Sequence, residues 1–366
     1  MKKGTKIAII VLAIIIVVAG GILAYKILLD NQPKEENIAV TEPEKKEIKE
    51  AQIFKGTDRP IAVMIDNHSD AWPQGGLNDA YIVYEIIVEG GETRLMPIFK
   101  GKDLEKIGPV RSSRHYFLDY ALENDAIYVH YGWSPQAETD ITKLNVNNIN
   151  GITESSSDFW RVKDKKAPHN VATATSKLLD IASNKKYPTT SNKNSVLKYV
   201  ADEFDLADKF EKNSVDSTQN ASNTTALDNN ANTVIGANSI TIPHSKSHTV
   251  KYEFNPEKKR YTRYARGKVQ TDWTTKEEIT TKNIIIEFID NVELNDGENK
   301  DRQDLKNIGT FDGYYITNGK AIKIKCTKSS RTEKTVYKDL SGNEIEVNAG
   351  NTWINICPKD ADVVFE

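Results

Sequence analysis

The sequence predicts an α+β fold, in which one membrane-spanning helix precedes a mixed α/β exterior domain and a mostly β carboxyl-terminal domain. Three observations predict this class. Residues 7–25 form an uninterrupted apolar run, residues 53–212 alternate short apolar strands with helical spacing, and residues 237–366 read as successive hairpins. A folded exterior portion of about 300 residues is large enough for roughly two domains with buried cores.

The amino-terminal apolar run has the length of a transmembrane helix. A hydrocarbon layer of about 30 Å needs about 20 apolar residues, and residues 7–29 meet that length. Lys2, Lys3 and Lys6 lie in the preceding segment, 1–6, so the amino terminus is predicted to be cytoplasmic and the bulk extracytoplasmic. A cleaved signal peptide is the alternative, but no small-x-small cleavage site follows the run. The sequence therefore predicts an uncleaved, single-pass signal anchor in the cell membrane.

Two polar segments separate the predicted folded parts. Residues 30–52 are charged, contain proline and lack an apolar period, which predicts a stalk. Residues 213–236 are rich in Asn, Ser and Thr, which predicts a linker between the domains. The chain carries 49 basic and 52 acidic residues, with a formal net charge of −3. Because the two signs are mixed along the chain, no nucleic-acid partner is expected.

The mixed domain, residues 53–212, contains recognisable element signals. A glycine pair at EGGE predicts a hairpin turn, and a serine followed by proline predicts the start of a helix. Strands are predicted over 60–66, 80–88, 93–99 and 126–131, and helices are predicted to begin near Ser112–Ser113 and at Ser134.

The carboxyl-terminal domain, residues 237–366, alternates strand segments with Gly, Asn and Pro turns. Cys326 and Cys357 lie in two of these strands. On an oxidising exterior they could form a disulfide, which would stabilise the fold by about 3–4 kcal/mol. Two buried free thiols are the alternative. His244 and His248 lie in a serine-rich loop and are expected to be solvated.

The densest cluster of chemically capable groups is GPVRSSRH, which contains Arg111, Arg114 and His115. If a helix begins at Ser112–Ser113, these groups lie at its amino terminus. Free backbone N–H groups, the helix dipole and two guanidinium groups would together bind a phosphate or carboxylate. In the alternative interpretation, both arginines pair with internal acids such as Glu85 or Glu89.

Polar residues follow two predicted strands. Asp66 and Asn67 end the first strand, and His130 ends a later one. If these strands are parallel neighbours, the three residues converge with the arginines on one sheet edge. Gln136, at the start of the next helix, is expected near the same edge. For His130, a half-buried structural histidine is the alternative.

The predicted hairpin is bracketed by Glu85, Glu89 and Arg94. On one strand, residues 85 and 89 share a face, where two carboxylates could serve acid and base chemistry or hold a divalent cation. A solvated or arginine-paired face is the alternative. His169 lies in an APHN loop near Trp160, and this combination suits a sugar or peptide ligand, although a structural role of Trp160 in the core is the alternative.

Motifs for metal sites and activated nucleophiles are absent from the sequence. There is no HExxH, paired CxxC, EF-hand loop, GxSxG, Walker loop or GxGxxG. The histidines His68, His115, His130 and His169 are dispersed along the chain. No metal and no cofactor are therefore predicted.

Several segments together resemble one family. RPIAVMIDNH, PQGGL, YIVYEIIVEGGETR, GPVRSSR, AIYVHYGWSPQA and APHN occur in order, followed by a region from ITNGKAIKIKCT to TWINICP. This series resembles the YerB-like family of bacterial, membrane-anchored, extracytoplasmic proteins, whose two domains are classed as being of unknown function. Many members are lipoproteins. This chain departs from them because a predicted membrane helix stands in place of a lipid-bearing cysteine.

Two functions follow as hypotheses. The first is a cell-envelope protein that binds an anionic wall glycan, a peptide or a membrane protein. The second is a wall hydrolase that uses carboxylates of the first exterior domain, Asp66, Glu85 or Glu89. A single deep pocket holding Asp66, Glu85, Arg111 and His130 would favour the hydrolase, whereas a dispersed arrangement would favour the binding protein.

Overall fold

The computed structural model describes residues 20–21, 25–26, 58–210, 233–298 and 300–366. The predicted stalk and most of the predicted membrane span and linker lie outside these ranges. Within them, no helix is both long and apolar enough to cross a membrane. The anchor therefore stays a prediction.

The described residues contain short helices and many strands. The α-helices are α1 Phe117–Glu123, α2 Pro135–Lys143, α3 Thr175–Asn184 and α4 Leu206–Phe210, and the 3-10 helices are Ser69–Ala71, Leu77–Asp79 and Glu89–Gly91. The strands up to residue 210 are β1 Ile61–Val63, β2 Ile65–Asp66, β3 Ile82–Ile87, β4 Thr93–Phe99, β5 Ile127–His130, β6 Asn148–Asn150, β7 Trp160–Arg161, β8 Val171–Ala172 and β9 Lys198–Val200. The later strands are β10 Ile235–Gly236, β11 Ser239–Pro243, β12 Thr249–Asn255, β13 Arg260–Ala265, β14 Lys268–Val269, β15 Thr280–Thr281, β16 Asn283–Ile289, β17 Asn291–Glu293, β18 Gln303–Leu305, β19 Gly309–Thr317, β20 Lys320–Lys328, β21 Val336–Asp339, β22 Glu346–Asn348, β23 Thr352–Pro358 and β24 Val364–Phe365.

A mixed sheet runs through both halves of the chain. Its strand order is β10-β20-β19-β16-β23-β3-β4-β1-β5-β6, with β2 also paired to β4 and β21 to β20. Strand β23 from the carboxyl-terminal segment pairs in parallel with β3, so that Thr352 lies opposite Ile82. In the described parts of the chain, all four α-helices precede residue 211 and the later residues form strands. The predicted α+β class is confirmed.

The two faces of this sheet bury two cores, because successive strand residues point to opposite sides. On one face, Tyr84 of β3 packs in the same core as Phe117 of α1. On the other face, Val83 and Trp353 share a core with Tyr252 of a second sheet, whose strand order is β14-β13-β12-β11-β24. The second sheet thus covers one face of the first.

A fully buried carboxylate, Glu85 of β3, links the two sheets. Arg263 of β13 donates from Nη2 to Glu85 Oε2 at 2.6 Å. On the other oxygen, Oε1, the Thr93 hydroxyl donates at 2.8 Å, Asn67 Nδ2 donates at 3.2 Å, and His248 Nε2 lies 3.0 Å away. Every one of these side chains is buried. The charge is therefore compensated by one cation and by hydrogen bonds on both oxygens.

This environment sets the protonation of the cluster. Burial opposes ionisation of Glu85, but Arg263 and His244 hold the pKa of the carboxyl well below its usual range. Burial lowers the pKa of His244 to about 4, although its Nε2 lies 4.0 Å from the carboxylate. The expectation that His244 and His248 are solvated is wrong. Ser245 donates its hydroxyl to the Gly91 carbonyl at 2.6 Å, which fastens the loop to the β3–β4 connection with both rings buried beneath it.

The two cysteines are free and buried, so of the two alternatives left open by the sequence, two buried thiols are confirmed and the possible disulfide is wrong. The reason is topological. Cys326 belongs to the core on the α1 face of the sheet, whereas Cys357 belongs to the core beneath the second sheet. Burial raises the pKa of both thiols well above its usual value.

Replacing Arg263 with methionine is expected to lower the free energy of unfolding by about 3–5 kcal/mol, because Glu85 keeps a buried charge and loses its cation. The double variant Glu85→Gln, Arg263→Met is expected to recover part of that loss, since the amide still accepts hydrogen bonds without a charge. Urea unfolding of the purified protein measures both effects. The control Lys325→Met changes a half-exposed lysine of β20 and is expected to shift stability by no more than about 0.5 kcal/mol. A double variant less stable than the single one would contradict the assignment.

Acidification is expected to destabilise the protein in part through His244. In the unfolded chain a histidine binds its proton near pH 6.5, whereas folded His244 binds it only near pH 4. Between these values the unfolded state holds more protons, so stability falls as the pH falls. Between pH 7 and 4.5 the loss from this group is about 2–3 kcal/mol. Urea unfolding at both pH values should show a smaller loss for His244→Gln than for the wild type, and equal losses would contradict this role.

Candidate functional site

A cleft of about 610 Å³ lies where β2 and β4 meet the loops that carry the predicted arginines and His169. Val88, Trp133 and Arg302 also line it. Six of the ten predicted site residues line this cleft: Asp66, Glu89, Arg94, Arg111, Arg114 and His169. Their common location is a structural fact, while their role in binding stays a prediction.

Asp66 organises one side of the cleft. It ends β2, where it lies opposite Arg94 of β4, and it is almost fully buried. Its Oδ2 lies 2.7 Å from His169 Nδ1 and 3.2 Å from Arg111 Nε, and its Oδ1 accepts the backbone N–H of His68 at 3.1 Å. One carboxylate thus fixes a histidine and an arginine from two distant loops.

Glu89 forms ion pairs with the arginines on the other side of the cleft. It forms ion pairs with Arg94, at 3.6 Å, and with Arg114. Arg94 also donates to the Ser112 carbonyl, and Arg114 to the Ser113 carbonyl, each at 2.6 Å. Burial opposes ionisation of Glu89, but the two guanidinium groups lower the pKa of its carboxyl. Burial lowers the pKa of Arg94 to about 10. These two arginines are therefore largely engaged within the protein, as the alternative interpretation expected for Arg114.

Arg111 is engaged differently. Its side chain is 26% exposed, and its contact with Asp66 uses Nε. In the described residues, no hydrogen bond engages its terminal nitrogens Nη1 and Nη2. Two parallel N–H donors of a guanidinium group match the two oxygens of a carboxylate or phosphate. Arg111 is therefore the cleft residue best placed to receive an anion.

A second groove, of about 520 Å³, shares Arg111 and Trp133 with the cleft. Tyr131 and the exposed Ile152 line it, and the guanidinium of Arg161 lies 5.6 Å from the centre of the Tyr131 ring. The sequence interpretation did not single out Tyr131 or Trp133. Both residues lie in the sequence YGW, which joins a predicted strand to a predicted helix, and this position could have identified them as candidate site residues.

Four predicted site residues lie outside the cleft. Asn67 and Glu85 belong to the buried cluster between the two sheets. His130 is fully buried, with Nδ1 2.8 Å from the Gly132 carbonyl and Nε2 3.2 Å from Asn148 Oδ1. Burial lowers the pKa of His130, which favours its neutral form. Gln136 donates to Asp296 Oδ2 at 3.1 Å.

Two predicted local structures are wrong. Helix α1 begins at Phe117, not near Ser112–Ser113, because the N–H of Arg111 donates to the Met64 carbonyl at 2.8 Å and that of Ser113 to the Gly132 carbonyl at 2.9 Å. These bonds hold the segment extended, so the arginines do not lie at a helix terminus.

The predicted shared face of Glu85 and Glu89 is also wrong. Strand β3 ends at Ile87, and Glu89 begins a 3-10 turn beyond it. Glu85 points into the buried cluster, while Glu89 lines the cleft. The two carboxylates therefore do not form a pair for acid and base chemistry or for a shared cation.

Comparisons with known proteins agree with the resemblance. Residues 48–188 match the family described as "Protein of unknown function (DUF3048) N-terminal domain", and residues 240–354 match the corresponding C-terminal domain. A relative from Bacillus subtilis (strain 168), described as "Putative lipoprotein YerB", is 30% identical over 301 residues, which are 82% of this chain and 81% of the relative.

A comparison with a solved structure agrees with these sequence matches. The crystal structure of the YerB protein from Bacillus subtilis superposes with a TM-score of 0.70 at 27% identity, covering 86% of this chain and 99% of that one. Sequence, domain order and fold agree over most of the chain. The chain therefore belongs to the YerB-like family, whose two domains are described as being of unknown function.

Proposed function

We propose that this chain is a membrane-anchored, extracytoplasmic protein of the bacterial cell envelope that binds an anionic cell-wall glycan or peptide in the cleft. Anchoring is supported by the apolar run over residues 7–29 and by the description of the Bacillus relative as a putative lipoprotein. Binding is supported by the charged groups of the cleft and by the aromatic groove beside it.

The observation that carries the proposal is the state of Arg111. Asp66 Oδ2 lies 3.2 Å from its Nε, and this ion pair orients the guanidinium, while no hydrogen bond among the described residues engages its two terminal nitrogens. An arginine whose guanidinium group is already oriented loses less conformational entropy on binding a ligand than a freely rotating arginine does. Arg94 and Arg114 add positive potential nearby, although Glu89 offsets much of it.

The adjoining groove supports the choice of ligand class. Tyr131 and Trp133 are half-buried rings beside Arg111, and aromatic rings pack well on the apolar faces of sugars and on peptide side chains. Wall glycans and their peptides combine such surfaces with carboxylate groups. A ligand of this class could place its anionic group on Arg111 in the cleft and a sugar ring or peptide side chain in the adjoining groove.

The alternative, a wall hydrolase, has less support. Its three candidate carboxylates are all engaged: Glu85 with buried Arg263, Glu89 with two arginines, and Asp66 with Arg111 and His169. Asp66 and Arg111 share the cleft, but Glu85 and His130 lie outside it. A general acid needs a raised pKa near the reacting atoms. The lowered pKa of the Glu85 and Glu89 carboxyls is the opposite condition.

Replacing Arg111 with glutamine is expected to weaken binding to purified wall fragments about tenfold or more, because a charge-assisted hydrogen-bonding pair is lost. The measurement is co-sedimentation of the full chain, in mild detergent, over a range of wall concentrations. The control Lys325→Gln removes one positive charge from β20, about five strand spacings or roughly 24 Å from β4. It is expected to leave retention unchanged.

The same incubation separates the two functions. If wall fragments retain Arg111→Gln and the wild type equally, the proposal that the cleft binds the wall polymer is contradicted. Release of soluble wall fragments by the wild type, absent in a heat-denatured sample, would instead support the hydrolase.

Location is tested in intact cells. Protease added to protoplasts is expected to degrade the folded part of this chain while a cytoplasmic marker protein survives, because the folded part is proposed to lie outside the membrane. Protection of the chain until the protoplasts are lysed would contradict the envelope role.

A further inference from the structure

We propose that His68, Asp70 and His169 form a binding site for one divalent transition-metal ion, with Zn²⁺ as the ion that best fits the donor set. The three side chains offer one ligand atom each, all within 4.8 Å of one another. The two histidines are 101 positions apart in sequence, and the fold brings their rings into a stack, with centroids 4.5 Å apart and an angle of 16° between the planes. The site is independent of whether the cleft binds a wall polymer.

The donor types fit zinc. Two imidazoles and one carboxylate, with a fourth position left open, are a common ligand set for Zn²⁺ in proteins. Hard ions such as Mg²⁺ and Ca²⁺ prefer oxygen ligands and are disfavoured by two histidines. The observed spacing is wider than that of a tetrahedral zinc site, in which neighbouring ligand atoms lie about 3.3 Å apart. His68 and Asp70 are 39% and 65% exposed, so both are free to make the small closing movement.

Asp66 prepares His169 to act as a ligand. The 2.7 Å hydrogen bond from His169 Nδ1 to Asp66 Oδ2 assigns the proton to Nδ1 and leaves the lone pair on Nε2. A carboxylate behind a metal-binding histidine fixes its tautomer and orientation and raises its basicity. Arg111 and the backbone N–H of His68 hold Asp66 in turn. His169 itself is only 14% exposed, so its ring is fixed.

His68 also presents a nitrogen with a lone pair near Asp70. Its Nδ1 accepts the backbone N–H of Asp70 at 3.2 Å, which places a lone pair on that nitrogen, and it lies 3.8 Å from Asp70 Oδ2. Metal binding would exchange this long hydrogen bond for a coordinate bond. The carboxylate of Asp70 would then supply the compensating negative charge.

The site adjoins the cleft, because His68 and His169 both line it. An ion held there would add positive charge beyond His169, whose Nδ1 shares Asp66 Oδ2 with Arg111 Nε, and would leave an open position for a ligand oxygen. This consequence rests on the proposed function. It makes the anionic group of a wall polymer a shared partner of the metal and of Arg111.

The experiment is a titration of the full chain, stripped with a chelator, with Zn²⁺ alone by calorimetry and with Co²⁺ alone by visible absorption. About one ion per chain is expected, together with the intense visible bands of Co²⁺ in a tetrahedral site. The variants His68→Gln and His169→Gln are expected to lose binding, and Asp66→Asn to weaken it about 10- to 100-fold. The matched control is His115→Gln, which replaces a histidine paired with Asp304 outside the cluster and is expected to bind like the wild type.

Because the side chain of His68 is 39% exposed, His68→Gln is the variant least expected to disturb the fold. Its urea unfolding curve tests this expectation directly. Absence of Zn²⁺ binding by the wild type, or binding unchanged in both His68→Gln and His169→Gln, would overturn the proposal. No wall polymer is present in the titration. A failure here is therefore distinguishable from a failure of wall retention.

Discussion

The buried ion pair between Glu85 and Arg263 joins segments 178 residues apart and is the interaction on which the rest of the structure depends. A charge on the inner face of β3 is tolerated only because β13 delivers a cation and because Thr93 and Asn67 donate to the same carboxylate. These last two residues each adjoin a cleft residue in sequence, Arg94 and Asp66 respectively. The buried cluster therefore fixes the floor beneath the cleft, and the position of the surface groups follows from the way the two sheets are joined.

In the cleft itself, two carboxylates form ion pairs with the basic side chains. Glu89 holds Arg94 and Arg114, while Asp66 holds Arg111 and His169. The first set is largely engaged within the protein, whereas no hydrogen bond among the described residues engages the terminal nitrogens of Arg111. This asymmetry supports the proposed binding role, because the orientation of Arg111 is set by the protein itself and a ligand would not have to fix it.

The sequence predicted features that depend on local pattern, and it failed where distant parts of the chain decide the outcome. Strand periodicity and the glycine turn gave the hairpin and the α+β class. The start of α1 at Phe117 was missed because the preceding backbone bonds to strands that are remote in sequence. His244 was expected to be solvated because its serine-rich surroundings are polar, yet tertiary packing buries it. The proximity of His68 and His169 could not be predicted, since no local spacing encodes a contact across 101 positions.

The parallel pairing of β3 with β23 has a consequence for how the chain is made. Strand β3 is synthesised early, but the neighbour on one of its edges is supplied by residues 352–358, far later in the chain. Until then, an apolar strand has an open edge able to pair with other chains. The sheet is complete only once β23 has been made, so the incompletely synthesised chain must avoid aggregation throughout that interval.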